Sequence, residues 1–235
     1  MEYNNIIGEN FSPFKGLPWF EEASYITATI GGAGGIGSWL SFFLTRAGIK
    51  VKVIDFDNLE ERNLGGQFFM KESVGLSKVK ALSNAISKFT SSSNYNFING
   101  RIQDYNVDRY SFSAFDNMEA RKVMFRKWKN NLSSLPMSEK YKPIFIDGRL
   151  EAEFFQIYCV TPNRIEQYEE TLFDDDSIAE VACTVKQTSH VAAMIGAYMT
   201  SFFTNHLTNI AEKSKVREVP FKFEVFLPLV LAYES

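Results

Sequence analysis

Residues 32 to 37 read Gly32-Ala33-Gly34-Gly35-Ile36-Gly37, a G-x-G-x-x-G spacing. Glycines so spaced let a backbone come close to phosphate oxygens. The N–H groups and dipole at the start of a helix then favour the negative charge. About twenty residues further on, Asp55 supplies a carboxylate able to accept hydrogen bonds from ribose hydroxyls. Together these residues suit an adenine nucleotide, ATP or NAD alike; the bland alternative is a structural glycine turn.

Such chemistry requires a strand entering the glycines and a helix leaving them. Residues 24–30 are rich in β-branched and aromatic types and read as that strand; residues 38–47 read as the helix, with Leu40, Phe43 and Leu44 on one stripe and Gly48 as its stop. Residues 50–55 form the next strand, ending in acid. This strand, turn, helix and strand series is a βαβ unit, whose crossover implies parallel strands. Downstream, the pattern predicts a helix over 77–89 with Val79, Leu82 and Ile86 aligned, a strand over 94–102, a basic helix over 117–129, and strands over 143–147 and 153–161. A long apolar, buried helix is expected over 189–206 and a half-exposed alternating strand over 220–231; residues 91–96 and 174–176 read as surface loops. The expected fold class is α/β: a Rossmann-like, mostly parallel sheet flanked by helices and extended by C-terminal strands. One domain is expected over residues 1–235, with an N-terminal extension (1–22), a nucleotide-binding half (23–150) and a substrate or dimer half (151–235).

Of the 235 residues 45% are apolar and 23% charged, the balance of a chain that folds. A net charge of −3 gives no long-range pull toward nucleic acid or anionic lipid. The N-terminus lacks the basic and apolar segments of an export signal, and no apolar run approaches the roughly 18 residues of a membrane span. The expectation is a cytoplasmic protein without membrane or nucleic-acid partners. The two cysteines, Cys159 and Cys183, form no C-x-x-C pair, so no structural zinc is expected.

Four further groups separate the nucleotide readings: Asp55-Phe56-Asp57, Asn63-Leu64-Gly65-Gly66-Gln67, Gly75-Leu76-Ser77-Lys78, and Asp116-Asn117 with Ala120-Arg121. In this order and at these intervals the chain, from about residue 26 to about residue 207, resembles the ThiF/MoeB/HesA superfamily of adenylating enzymes, which includes the ubiquitin-activating enzymes. The resemblance implies a homodimer in which the C-terminal glycine carboxylate of a small β-grasp partner, a ubiquitin-like or sulfur-carrier protein, attacks the α-phosphate of Mg-ATP. It assigns Asp55 to the ribose, Asp57 to the nucleotide-binding set, Asn63 and Gln67 to orienting the nucleotide, Lys78 to the phosphates and Asp116 to the Mg2+ ion. A lysine suits the charge that builds as pyrophosphate leaves, and a hard carboxylate oxygen suits magnesium.

One departure stands out. The family usually carries an arginine before the glutamine of its N-L-x-R-Q motif, where this chain has Gly66. Either Arg62, Arg121 or Arg149 replaces that charge, or a partner subunit donates one, or adenylation is weakened. Arg149 is favoured, because Asp147-Gly148-Arg149 follows a strand whose C-terminal end should face the nucleotide crevice. Cys183, in Glu180-Val181-Ala182-Cys183-Thr184, is placed like the cysteine of relatives that pass the acyl adenylate to a thiol; a helix start or Lys186 could favour its thiolate. A buried, inert cysteine is the alternative there, and packing is the reading for Cys159. His190 and His206 read as satisfied histidines on the apolar helix. The last strand, around 221–229, is a candidate dock for an extended protein tail, or else a self-paired or dimer strand. Two other functions stay open: a nucleotide-binding module that has lost catalysis, and an NAD-linked oxidoreductase, for which no Tyr-x-x-x-Lys constellation is present.

Overall fold

The computed structural model describes residues 13–90, 95–174, 188–214 and 216–227. Cys183, Lys186 and most of the 174–176 loop lie outside the described residues, as do 91–94 and the end of the strand expected to reach 231. In chain order the elements are α1 (Pro18–Ser24), β1 (Thr27–Gly31), α2 (Gly35–Arg46), β2 (Lys50–Asp55), α3 (Lys78–Ile86), β3 (Tyr95–Asn99), β4 (Tyr110–Ser113), α4 (Met118–Asn131), β5 (Ile144–Glu151), β6 (Phe154–Val160), α5 (Ile165–Glu169), α6 (Ser189–Ala211) and β7 (Lys222–Phe226).

The strands make one seven-stranded sheet in the order β3-β2-β1-β4-β5-β6-β7. The first five are parallel; β6 runs antiparallel to β5 and β7 antiparallel to β6. This is the mostly parallel, Rossmann-like sheet with C-terminal extension that the sequence predicts. The connection from β1 leads outward to β2 and the connection from β4 leads the opposite way to β5. The two neighbours therefore open a crevice at their C-terminal ends, the place where open α/β sheets take ligands.

Neighbouring residues of a strand face opposite sides of a sheet, and the core divides accordingly. Ile144 and Ile146 of β5 join one apolar cluster with Leu40 and Leu44 of α2, Leu82 and Ile86 of α3, and Ile195, Met199 and Phe203 of α6. Phe145, between them, joins a second cluster with Met124, Phe125 and Trp128 of α4 and Tyr168 of α5. Strands covered on both faces read as continuous apolar runs, as Val53-Ile54 and Ile144-Phe145-Ile146, all at 0% exposure, do. A side chain at Gly196 of α6 would lie 3.1 Å from the Leu40 amide nitrogen, so glycine there permits the close packing of α6 on α2. No helix among the described residues is long and apolar enough to cross a membrane.

Several boundaries differ from expectation. The helix predicted from residue 77 ends at Ile86 rather than 89, and Ser77 is its N-cap. The strand expected over 94–102 runs from Tyr95 to Asn99, so Tyr95 and Asn96, which the loop expected over 91–96 also claimed, belong to β3. Strand β5, expected over 143–147, continues past Asp147 to Glu151. Strand β4 and helix α1 carry no signal in the sequence reading. β4 is only four residues long, and two of them are the fully buried Ser111 and Ser113, which break its apolar pattern.

Candidate nucleotide and substrate site

A cavity of about 780 Å³ opens over the C-terminal ends of the strands. Its first part is built by the glycine turn. Gly32 has a φ of +91°, which L side chains rarely adopt, and a side chain there would strike the Ala114 carbonyl at 2.8 Å. A Cβ on Gly37 would lie 1.9 Å from the Gly32 carbonyl oxygen, whereas one on Gly34 would meet nothing within 4 Å. Gly37 therefore serves the packing of turn on helix, and Gly34 leaves open space toward the cavity. Gly34, Gly35 and Ile36 line it, and the first amides of α2 point from this turn as a helix start requires.

Asp55 ends β2 beside this turn. One carboxylate oxygen accepts the Ala33 amide at 2.7 Å and the other accepts the Asp57 amide at 2.8 Å. Burial pushes its pKa up from the usual 3.8, while the two amides and Lys78 pull the other way. Lys78, the first residue of α3, donates from Nζ to Asp57 Oδ2 at 2.7 Å. The cationic tip is thus held at the cavity wall by a carboxylate that is half exposed. Gln67 also lines the cavity, and its buried Oε1 meets no hydrogen-bond partner among the described residues. A buried acceptor left unmatched in this way is suited to a ligand donor.

Beyond the turn lie Asp116 and the start of α4, capped by Asn117, whose Oδ1 accepts the Ala120 amide at 2.8 Å. Asp116 is exposed on the cavity wall and accepts from Asn117 Nδ2 at 3.3 Å. Among the described residues no group of three His, Cys, Asp or Glu side chains gathers. Magnesium, however, commonly takes only one or two carboxylates and fills its shell with phosphate oxygens and water, so Asp116 fits that ion.

The structure thus brings Gly32, Gly34, Gly35, Ile36, Asp55, Asp57, Gln67, Lys78, Asp116 and Arg149 to one cavity. Two of the expected residues play other parts. The Ala33 amide is taken by Asp55. Asn63 is not among the lining residues: its Oδ1 accepts the Glu60 amide at 2.9 Å, closing a capping box on the short helical turn Glu61–Asn63. Gly66, where the family arginine is missing, gives its carbonyl to the Trp39 indole at 3.3 Å. Of the alternative cations, Arg62 pairs with Glu60 on the surface, while Arg121 and Arg149 both reach the cavity wall.

Arg149 is more constrained than the sequence suggests. Its Nε donates to Asp147 at 2.8 Å, its terminal nitrogens to the Thr171 carbonyl and hydroxyl at 3.1 and 3.0 Å, and its guanidinium lies 4.5 Å from the Tyr158 ring centre. Sequence reasoning also missed Arg101, whose guanidinium stacks 4.3 Å from the half-exposed Phe56 ring at the cavity rim, a flat face of the kind a purine can stack on. Only the end of β3 beside β2 brings these two together. Cys159 is fully buried in β6, and burial pushes its thiol up to about 12, in keeping with packing. His206 donates to the Lys142 carbonyl at 2.7 Å, and burial lowers its pKa.

The ThiF family model matches residues 10–224. Ubiquitin-like modifier-activating enzyme 5 of Gallus gallus is 34% identical over 101 residues, 43% of this chain and 23% of that protein. The Drosophila melanogaster protein of the same name is 34% identical over 122 residues, 43% of this chain and 30% of that protein. The chain therefore aligns with less than a third of these curated relatives. In fold it is similar to E. coli MccB (TM-score 0.65, 15% identity, 90% of this chain and 63% of that one). It is also similar to the E. coli tRNA N6-threonylcarbamoyladenosine dehydratase TcdA, solved in complex with ATP (TM-score 0.62, 15% identity, 86% of this chain and 94% of that one). With the motifs gathered on one crevice and the model match running through nearly the whole sequence, the chain belongs to the ThiF family.

Proposed function

We propose that this protein binds Mg-ATP in the crevice between β1 and β4 and adenylates the C-terminal carboxylate of a small ubiquitin-like or sulfur-carrier protein. The observation that carries this reading is the convergence of the glycine turn, Asp55, Lys78 and Asp116 on one cavity that continues past them to Arg149. E. coli MccB and TcdA, each solved with ATP, share the fold and support the choice of nucleotide.

In this reading the ribose hydroxyls reach Asp55 and the phosphates lie along the start of α2, with Lys78 leaving Asp57 to meet them. Asp57 and Gln67 complete the nucleotide contacts, and Asn63 acts by shaping the turn that carries Gln67. Asp116 would hold the Mg2+ ion, which would neutralise phosphate charge. A carboxylate oxygen of the partner attacks the α-phosphorus; the bond from that phosphorus to the bridging oxygen breaks, and pyrophosphate leaves with the electron pair. Lys78 stabilises the added negative charge on the phosphates, and Arg149, replacing the cation absent at Gly66, stabilises it on the side from which the carboxylate attacks. Where Cys183 then acts, its thiolate attacks the acyl carbon and AMP leaves, giving a thioester. The protein works as a homodimer, by analogy with the family.

ATP–pyrophosphate exchange in the presence of candidate tailed proteins tests the reading. Exchange above background is expected, and Arg149→Ala should lower it roughly 100-fold. Absence of heat on mixing with Mg-ATP, with or without such proteins, would overturn it. Gly66 favours one second reading, a nucleotide-binding module with weakened catalysis, for which ATP binds but no partner drives exchange.

A further inference from the structure

Asp147 is fully buried at the end of the parallel part of the sheet, and two arginines converge on it. Arg121 donates from one terminal nitrogen to Asp147 Oδ1 and, at 3.0 Å, to the Gly148 carbonyl. Its other terminal nitrogen donates to the Phe115 carbonyl. Arg149 and the Tyr168 hydroxyl both donate to Asp147 Oδ2, at 2.8 and 2.9 Å. Burial holds the Tyr168 phenol well above its usual range, so it remains neutral. Among the described residues one carboxylate therefore faces two guanidinium groups, and these side chains together carry a net charge of +1. Both arginines are largely withdrawn from water, with side chains 7% and 14% exposed, and both line the cavity. An uncompensated charge so placed is costly unless an anion joins it. Each guanidinium has five N–H groups, so neither is used up by the contacts above.

Position selects the anion. Along the sheet, Asp55 lies at the end of β2 and Arg101 just past the end of β3; the glycine turn follows β1, and Asp116 follows β4. The knot belongs to β5, two strands or about 10 Å from β1. Past it the cavity runs onto the β5–β6 hairpin, where Arg149 pairs in register with Gln156 and Glu151 with Phe154, setting these four on one face. Glu151, also on the wall, is solvent exposed, where water screens it. Nucleotide thus lies on one side of the knot and an open strand face on the other.

We propose that the Arg121–Asp147–Arg149–Tyr168 knot is the receiving site for the substrate's terminal carboxylate, with the peptide leading to it laid over the β5–β6 face. The inference rests on the adenylation reading and adds the point at which the acceptor enters. Asp147 is the positioning residue: it cancels one of the two charges and, together with Thr171, fixes Arg149 at the cavity wall, while Arg121 ties the same carboxylate to the loop before α4.

The test uses the full chain with three probes: glycylglycine, its C-terminal amide, and inorganic phosphate. The Arg149 Nε resonance is followed by NMR with and without saturating non-hydrolysable ATP, and ATP binding is measured separately by calorimetry. Glycylglycine should shift the resonance saturably in the presence of the nucleotide, and the amide should not. Arg149→Gln should weaken glycylglycine binding about tenfold or more, as loss of a charge-assisted hydrogen bond predicts, while ATP still binds. That variant leaves Asp147 paired with Arg121 and Tyr168, so it should fold; an unchanged melting temperature checks this. Equal response to acid and amide, or displacement of glycylglycine by ATP or phosphate alone, overturns the proposal, displacement marking the knot as a phosphate subsite. Failure of ATP to bind at all would instead strike the adenylation reading, and the nucleotide-free titration would still report on the knot.

Discussion

The Asp55 carboxylate accepts the Ala33 amide at 2.7 Å across 22 residues of sequence, tying the end of β2 to the middle of the glycine turn. The residue read as a ribose acceptor is therefore also a strut of the phosphate cradle. Asp55→Ala removes an acceptor for two amides in a buried place and should cost about 1–3 kcal/mol of stability together with most ATP affinity. Calorimetry and thermal melts check both. An alanine variant that binds ATP as tightly as the parent would remove Asp55 from the site.

The same residue gives a pH signature. Burial raises its folded-state pKa above 3.8, so the folded chain holds this proton more tightly than the unfolded one. The resulting stability is fully present below 3.8 and is lost as pH rises through the raised value. Compared with Asp55→Asn, which does not titrate, the parent should lose ground over that window. Denaturant midpoints of the two proteins at pH 3, 4, 5, 6 and 7 measure the difference, and a gap that stays constant or moves the other way would contradict the assignment.

Two glycines of one turn should fail in different ways. Gly37→Ala places a carbon 1.9 Å from the Gly32 carbonyl oxygen and should cost about 3 kcal/mol or more, seen as loss of soluble, cooperatively melting protein. Gly34 has a φ of −77° and open space around its Cα, so Gly34→Ala should melt within a few degrees of the parent. Its methyl group would instead stand where phosphate oxygens approach, and Mg-ATP affinity should fall about tenfold. Equal losses of fold in both variants would mean that Gly34 serves packing as well.

Lys78 and Asp57 sit 2.7 Å apart, and Asp57 keeps 49% of its side chain in solvent. A pair half in water contributes about 1 kcal/mol or less, so Lys78→Ala should leave the fold nearly intact. Its effect belongs to chemistry: exchange of pyrophosphate should drop roughly 100-fold through loss of a positive charge on the phosphates. Lys78→Arg should recover part of the rate, since charge is restored on a different geometry. A variant whose rate is unchanged would leave the lysine as a structural partner of Asp57.

Local chemistry explains why the glycine turn, the βαβ unit and the acid at the end of β2 are legible in the sequence. Turn, helix start and strand are neighbours in the chain, and each constrains the next. Strand β4 escapes because Ser111 and Ser113 are buried without looking apolar; Ser111 settles its hydroxyl on the Asp108 carbonyl at 2.6 Å. The knot around Asp147 escapes for another reason. Its members sit at 121, 147, 149 and 168 and meet only because β5 passes beside the end of β4 and the start of α4. Asn63 shows the converse, a motif residue whose place in the sequence suggests a ligand contact but whose side chain closes its own turn.

The two cysteines should separate cleanly under alkylation. Cys159 is fully buried, and its thiol is pushed up to about 12, so at pH 8 it holds almost no thiolate and offers no path to reagent. Any label taken up by the native protein should therefore sit at Cys183, with Cys159 reacting only after denaturation, as mass spectrometry of peptides can show. If Cys183 carries the acyl group, incubation with Mg-ATP and the acceptor should protect it and produce a thiol-sensitive adduct on gels. Cys183→Ser should abolish that adduct while exchange of pyrophosphate continues, because adenylation precedes the thiol's attack. Loss of exchange in that variant would place the cysteine in nucleotide binding or folding, and an adduct that survives it would move the acyl group elsewhere on the chain.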